Sequence, residues 1–181
     1  AGTRDDGKPF GSRTCAEGRI FLNPQTWSVI SGIGSPERTA RAMQSVREHL
    51  ITDYGALLLT PAYKSVDPYI GYITRYSPGL RENGGVYSHA STWAVQAFAM
   101  TGDRETALRI FRGMLPCLRS TEDADLYACE PYAMPGNVDG PDSPYAGRAG
   151  WTWYTGSAAW MRRIALRYLQ DPGSKSGGGS S

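Results

Sequence analysis

Thr92-Trp93-Ala94-Val95-Gln96-Ala97-Phe98-Ala99-Met100-Thr101-Gly102-Asp103-Arg104-Glu105-Thr106-Ala107 decides the fold class. Its first half is apolar at helical spacing, Gly102 stops the helix, and Asp103 can cap a second one running back through Leu108, Phe111 and Leu115. The pattern has an earlier copy. Thr26-Trp27, an apolar stretch, Gly34 and then Glu37-Arg38-Thr39-Ala40 repeat the order about 66 residues upstream. Each copy reads as a helix, a tight turn and an antiparallel helix. In the first copy Asn23 can cap and Pro24 suits the first turn. Trp27, Val29, Ile30 and Ile33 supply its apolar positions, and Gly32 and Gly34 end it. Ser35-Pro36 then restarts a helix whose buried face reads Ala40, Met43, Val46, Leu50 and Ile51. A last helix runs from near Thr155-Gly156 through Trp160, Ile164, Leu166 and Leu169. Irregular stretches occupy Tyr54 to Gly79, which is rich in tyrosine, and Pro116 to Ala149. Repeated helical hairpins joined by long loops predict an all-α fold, an incomplete α/α toroid with its site built from loops at one end. A short two-stranded element could sit in those loops. Residues 1–19 read as a polar entry loop, 20–170 as the folded unit, and 171–181 as a Gly/Ser-rich disordered tail or linker.

The gross numbers fit one domain: 181 residues, 40% hydrophobic and 11% aromatic, with a net charge of +2. Basic residues are scattered among acids, so nucleic acid is a poor partner. No apolar run is long enough to span a bilayer. The chain opens on the polar run Ala1-Gly2-Thr3-Arg4-Asp5-Asp6-Gly7, with no leader pattern and no initiator methionine, which points to a processed product or a piece of something longer. Three cysteines without CxxC spacing and two histidines argue against a disulfide framework or a metal centre, and fit a reducing compartment.

The stretch with the most chemical content is Arg81-Glu82-Asn83-Gly84-Gly85-Val86-Tyr87-Ser88-His89-Ala90. Gly84-Gly85 permits a sharp turn and a close approach to a ligand. Ser88 or His89 then opens a helix, where free N–H groups and the dipole favour anions. Glu82, beside Arg81, can accept hydrogen bonds from sugar hydroxyls, and His89 can donate one to an anion. The alternative is a glycine turn capping a core helix, with a solvated ion pair and a core histidine. A second stretch runs from Gly147-Arg148 through Trp151-Thr152-Trp153-Tyr154-Thr155-Gly156 to Trp160. Its aromatics suit stacking on a pyranose face. Thr155 and Gly156 offer a hydroxyl and bare N–H groups at a helix start, which suits phosphate. Glu130-Pro131-Tyr132 is a lesser candidate. GxSxG, P-loop, HExxH and dinucleotide motifs are lacking.

Taken together, Arg19-Ile20-Phe21-Leu22-Asn23-Pro24-Gln25-Thr26-Trp27, the stretch from Arg81 to Ala90, Glu130-Pro131-Tyr132 and the stretch from Gly147 to Trp160 resemble glycoside hydrolase family 94, the inverting disaccharide phosphorylases. The likeness covers about Gly18 to Leu169 and is nearest in flavour to the cellodextrin and cellobionic acid branches. It implies part of an (α/α)6 barrel, cleavage of a β-glucosidic bond by inorganic phosphate, and release of an α-sugar 1-phosphate. Phosphate is the nucleophile, so a single carboxylic acid suffices, unlike the two-carboxylate hydrolases. It further implies phosphate binding by His89, Thr155 and Gly156 and sugar binding by Arg81 and Glu82. Gln25, Trp27, Glu130, Tyr132 and Trp153 would line the pocket. Phosphate is a co-substrate and no cofactor or metal is expected; full-length relatives would be homodimers, in the cytoplasm. The family's general acid, and an arginine of its phosphate site, lie upstream of the matched motifs. Where the cellobiose branch has glutamine after Glu-Pro-Tyr, this chain reads Pro135-Gly136-Asn137. The expectation is therefore the late part of a barrel, truncated at both ends, with half an active site. A non-catalytic helical carbohydrate-binding module and a hydrolase of another α/α-toroid family are the rival readings.

Overall fold

The computed structural model describes residues 1–170; the predicted Gly/Ser tail lies outside them. Both helical hairpins form. The first pairs α1 (Leu22–Ile30) with α2 (Pro36–His49), and the second pairs α3 (Ser88–Met100) with α4 (Arg104–Gly113). Ser35 caps α2, its hydroxyl accepting the Arg38 N–H at 3.4 Å, and Pro36 takes the first helical position. Asp103 caps α4 by accepting the Thr106 N–H at 3.1 Å. The side chain of Arg47, in the last turn of α2, donates to the same Asp103 carboxylate and so clasps the two hairpins together. Hydrogen bonds from Thr106 and Arg47 hold that carboxyl below its ordinary range, although desolvation works against them.

Some local expectations fail. Asn23 lies inside α1 and is not its cap; Phe21 takes that position without a side-chain bond. Strand β3 (Ile20–Phe21), paired with β6 (Leu59–Thr60), fixes the entry of the helix instead. Ile33 is 85% exposed because Gly32, at φ 70°, has already turned the chain. Ala40 is exposed too, while Met43, Val46 and Leu50 are buried as expected. Helix α4 ends at Gly113, and the stretch after it is less irregular than predicted, with α5 (Pro116–Glu122) and α6 (Ala124–Tyr127). The last helix, α7 (Thr155–Ile164), continues as a π-helical turn over Ala165–Leu169. Arg104 stitches that turn to α4 by donating to the carbonyls of Tyr168 and Leu169.

The helical prediction stands, with more short strands than the single pair allowed for. Hairpins β1–β2 (Gly2–Thr3, Pro9–Phe10) and β4–β5 (Ile51–Thr52, Gly55–Ala56) are local. A three-stranded sheet joins β7 (Val86–Tyr87), β8 (Asn137–Val138) and β9 (Ala149–Gly150), with β8 in the middle. Strands of two residues are too short for an alternating pattern to show in sequence.

Helix α3 is the hub, packing on α1, α4 and α7. Its Ala90, Ala94 and Ala97 let neighbours approach, while Val95 and Phe98 fill the core with Leu22, Val46, Ile110 and Ile164. Burial on so many sides takes in polar residues as well, Ser91, Thr92 and Gln96 among them. The loop before it is pinned by a fully buried amide. Asn83 accepts the Tyr63 N–H at 2.7 Å and donates to the carbonyls of Tyr63 and Tyr76, both at 2.8 Å. Replacing it with alanine strands three buried backbone groups. Asn83→Ala should therefore cost about 3 kcal/mol, read as a lower midpoint in chemical denaturation; an unchanged midpoint would remove the amide from this role.

Candidate functional site

The loop from Leu80 to Gly85 closes on itself. The Gly79 N–H donates to the Asn83 carbonyl at 2.8 Å while its carbonyl accepts the Gly140 N–H at 2.7 Å, and the Gly85 N–H donates to the Arg81 carbonyl at 3.0 Å. Arg81 stands at φ 48°, a conformation non-glycine residues rarely adopt. Its N–H is held by the buried Asn137 side chain at 2.8 Å, and Asn137 in turn donates to Asp139 at 2.8 Å. Gly85 is required here: a Cβ would lie 2.6 Å from the Asn137 oxygen and 2.7 Å from the Arg81 nitrogen. The turn thus presents Arg81 and Glu82 side by side, with the Arg81 Nε 3.7 Å from the Glu82 Oε2.

Glu82 reaches a cavity of about 320 Å³ whose walls include Phe21, Asn23, Gln25, Leu58 and Ile73. Its Oε2 is buried, has no hydrogen-bond partner and faces the Arg81 guanidinium. Gln25 joins it there, with its amide donating to the Phe21 carbonyl at 3.3 Å. Trp27 does not line that cavity. It packs edge-on against Trp93, ring centroids 5.3 Å apart, in an aromatic group with His89 and Trp160.

One strand beyond the turn, α3 and α7 bring their N-termini together. Neither has a side-chain cap. Gly156 lies against the His89 ring: a Cβ there would sit 3.4 Å from Cε1 and 3.5 Å from Nδ1. His89, Thr155 and Gly156, predicted from positions 66 residues apart in sequence, therefore share one place. Two helix dipoles and an imidazole N–H meet where an anion would be stabilised. Burial pushes the His89 pKa below its ordinary 6.5, so the ring is neutral at physiological pH.

Glu130, Tyr132 and Trp153 form a separate exposed group. The Trp153 indole donates to Glu130 at 3.2 Å, and the Tyr132 ring is T-shaped against Trp153 at 6.0 Å. Its own backbone N–H, then Thr152 and Trp153, hold the Glu130 carboxyl below the usual carboxylate range. Tyr132 is 75% exposed. Sequence reading missed two aromatics of the site: the Arg81 guanidinium lies 4.7 Å from the Trp151 ring centre and 5.2 Å from that of Tyr76. Trp151 belongs to the quoted aromatic run, but nothing in a linear sequence says which ring meets which cation. Among the described residues no group of three or more His, Cys, Asp or Glu could hold a metal ion, and no helix is long and apolar enough to cross a membrane.

A sequence profile described as "Glycosyl hydrolase 94 superfamily, catalytic domain" matches residues 1–170, further toward the start than the motifs alone reach. The cyclic beta-(1,2)-glucan synthase NdvB of Rhizobium meliloti (strain 1021) is 44% identical over 169 residues, covering 91% of this chain and 6% of that protein. Solabiose phosphorylase of Paenibacillus borealis is 37% identical over 169 residues, covering 93% and 22%. Cellobionic acid phosphorylase of Neurospora crassa is 31% identical over 172 residues, with the same coverage of 93% and 22%. The chain spans at most 22% of the length of these curated relatives.

The depressed His89 pKa has a consequence for stability. The unfolded chain takes up its His89 proton near 6.5, before the folded one does, so this residue's contribution is present above that pH and lost as pH falls below it. His89→Gln should flatten the fall in thermal midpoint between pH 7 and pH 5.5. An equally steep fall in the variant would show that another group governs it.

Proposed function

This chain belongs to the glycosyl hydrolase 94 superfamily, and on that premise we propose that it is the phosphate-binding and acceptor-binding part of a disaccharide phosphorylase. The observation that carries the reading is the meeting of two uncapped helix N-termini at His89 and Gly156, one strand away from the Glu82 cavity. His89, Thr155 and Gly156 bind inorganic phosphate, the co-substrate. The neutral imidazole donates one hydrogen bond, and the helix starts supply N–H groups and positive potential without the cost of burying a counter-ion. Arg81 and Glu82 hold the acceptor sugar, with Gln25 beside them. Glu130, Tyr132 and Trp153 offer a polar and aromatic wall to a pyranose ring.

In the reaction a phosphate oxygen attacks the anomeric carbon of a β-glucoside. The glycosidic bond breaks with inversion, and the leaving oxygen takes a proton from a carboxylic acid. Glu130 does not suit that acid, because a carboxyl held below its usual range is ionised at neutral pH. The acid comes from a part of the polypeptide other than these residues, and the hairpins form part of an (α/α)6 barrel. Cello-type oligosaccharides are the substrate class favoured by the motif resemblance, α-glucose 1-phosphate the product, the cytoplasm the setting, and a homodimer the full-length assembly.

The test is twofold. Inorganic phosphate should bind the chain in calorimetric titration, and His89→Ala should weaken binding at least about tenfold, in line with loss of a hydrogen bond to a charged group. The chain alone should release no sugar 1-phosphate from cellobiose, cellobionic acid or cellodextrins. Turnover by the pure chain, or phosphate affinity indifferent to His89, would refute this assignment.

A further inference from the structure

The residue left without a role in this reading is Trp151. It stands at φ 51°, a region that only occasionally accepts a non-glycine residue, and Arg81, at φ 48°, is in the same region. These two unusual backbone positions come from segments 70 residues apart and meet face to face. The Trp151 ring covers one side of the Arg81 guanidinium at 4.7 Å from its centre, and Tyr76 lies 5.2 Å away. Stacking against rings constrains the planar cation and leaves its N–H edge as the part that can reach a ligand.

Trp151 is also fixed to the other half of the site. Its carbonyl accepts the Gly136 N–H at 2.8 Å, and the Gly136 carbonyl accepts the Ser88 N–H at 3.0 Å, at the first residue of α3. Three residues after Trp151, the Tyr154 N–H donates to the Met134 carbonyl at 3.0 Å, and the Tyr154 ring lies flush on Gly136, where a Cβ would be 2.6 Å from its Cζ. The segment from Trp151 to Tyr154 is therefore tied at both ends to Met134–Gly136. It delivers Thr155 and Gly156 directly to the start of α7. Movement of the Arg81 side chain has a short covalent and hydrogen-bonded route to the place where His89 and Gly156 meet.

We infer that Trp151 is a positioning residue that couples the two halves of the site: it aims Arg81 at the acceptor sugar and passes occupancy of that position to Thr155–Gly156, so that sugar and phosphate bind cooperatively. The inference rests on the assignment of those halves made above. It adds that neither half is independent, and that the coupling runs through one indole. Reciprocity follows, since a sugar that tightens phosphate must itself be tightened by phosphate to the same factor.

The experiment uses the 15N-labelled chain, with phosphate titrated against the Gly156 amide signal in the absence and presence of saturating glucose. In the wild type, glucose should tighten phosphate at least about fivefold. Trp151→Ala should bring that ratio close to one, and Trp151→Phe, which keeps a ring over the guanidinium, should restore it. A residue that merely supported the fold would lower both affinities and leave their ratio alone. An unchanged ratio in Trp151→Ala, or no effect of glucose in a wild type that does bind phosphate, overturns the inference. Failure of phosphate to move the Gly156 signal in the wild type would instead overturn the phosphate assignment. The tie itself then has its own readout. Arg81→Lys should shift the Thr155 and Gly156 amides when Trp151 is present and leave them in place in a Trp151→Ala background; equal shifts in both backgrounds would overturn it.

Discussion

Two buried amides, Asn83 and Asn137, impose the constraint on which the rest of this structure depends. Neither can be solvated where it lies, so each must find protein partners. Asn83 binds the backbone at Tyr63 and Tyr76, and Asn137 binds the backbone of Arg81 and the carboxylate of Asp139. Three loop segments that would otherwise be independent are thereby fixed to one another. Asp139 extends the network by accepting the Ser143 hydroxyl at 2.8 Å. A buried polar network of this kind specifies one arrangement, because every alternative leaves a donor or acceptor unpaired.

The glycines serve the same constraint from the steric side. A Cβ on Gly140 would collide with the Gly84 carbonyl, and one on Gly84 would lie 2.9 Å from the Ala62 Cβ. Backbones approach this closely only where side chains are missing. The result is a dense floor of backbone under the site, from which Arg81, Glu82 and, one strand later, His89 project. The middle strand β8 sits in that floor and pairs with β7 on one side and β9 on the other. Each neighbouring strand leads toward a helix start: β7 runs straight into α3, and β9 leads through Trp151 and Trp153 to α7. Convergence of the two helix N-termini is thus a consequence of sheet pairing, with side chains of α3 and α7 packing behind it.

The helices were legible because their signals are local. Ser35-Pro36 and Asp103 each carry a cap within a few residues of the turns they bind, and Val95 and Phe98 announce a buried face by spacing alone; the stripe read in α4 as Leu108, Phe111 and Leu115 is only half-buried, because the helix turns Ala107, Ile110 and then Met114 inward. Asn23 shows where that logic stops. It has the side chain of a cap, yet pairing of β3 with a strand nearly forty residues away starts α1 earlier. The short strands escaped for the same reason, since their stability lies in partners such as Val138 for Val86 and not in any pattern of their own.

Local sequence is enough to specify the helical hairpins, the aromatic and glycine-rich stretches, and the chemical types on offer: a carboxylate beside an arginine, a lone histidine, and a Thr-Gly helix start. Those are properties of single residues and their near neighbours. Tertiary structure alone decided that His89 meets Gly156, that Trp27 turns to Trp93 and away from the cavity holding Glu82 and Gln25, and that Trp151 lies on Arg81. Such pairings depend on which buried polar groups find partners across long stretches of chain and on which backbones can touch. Those are conditions on the whole packed core, and no local stretch of residues carries them.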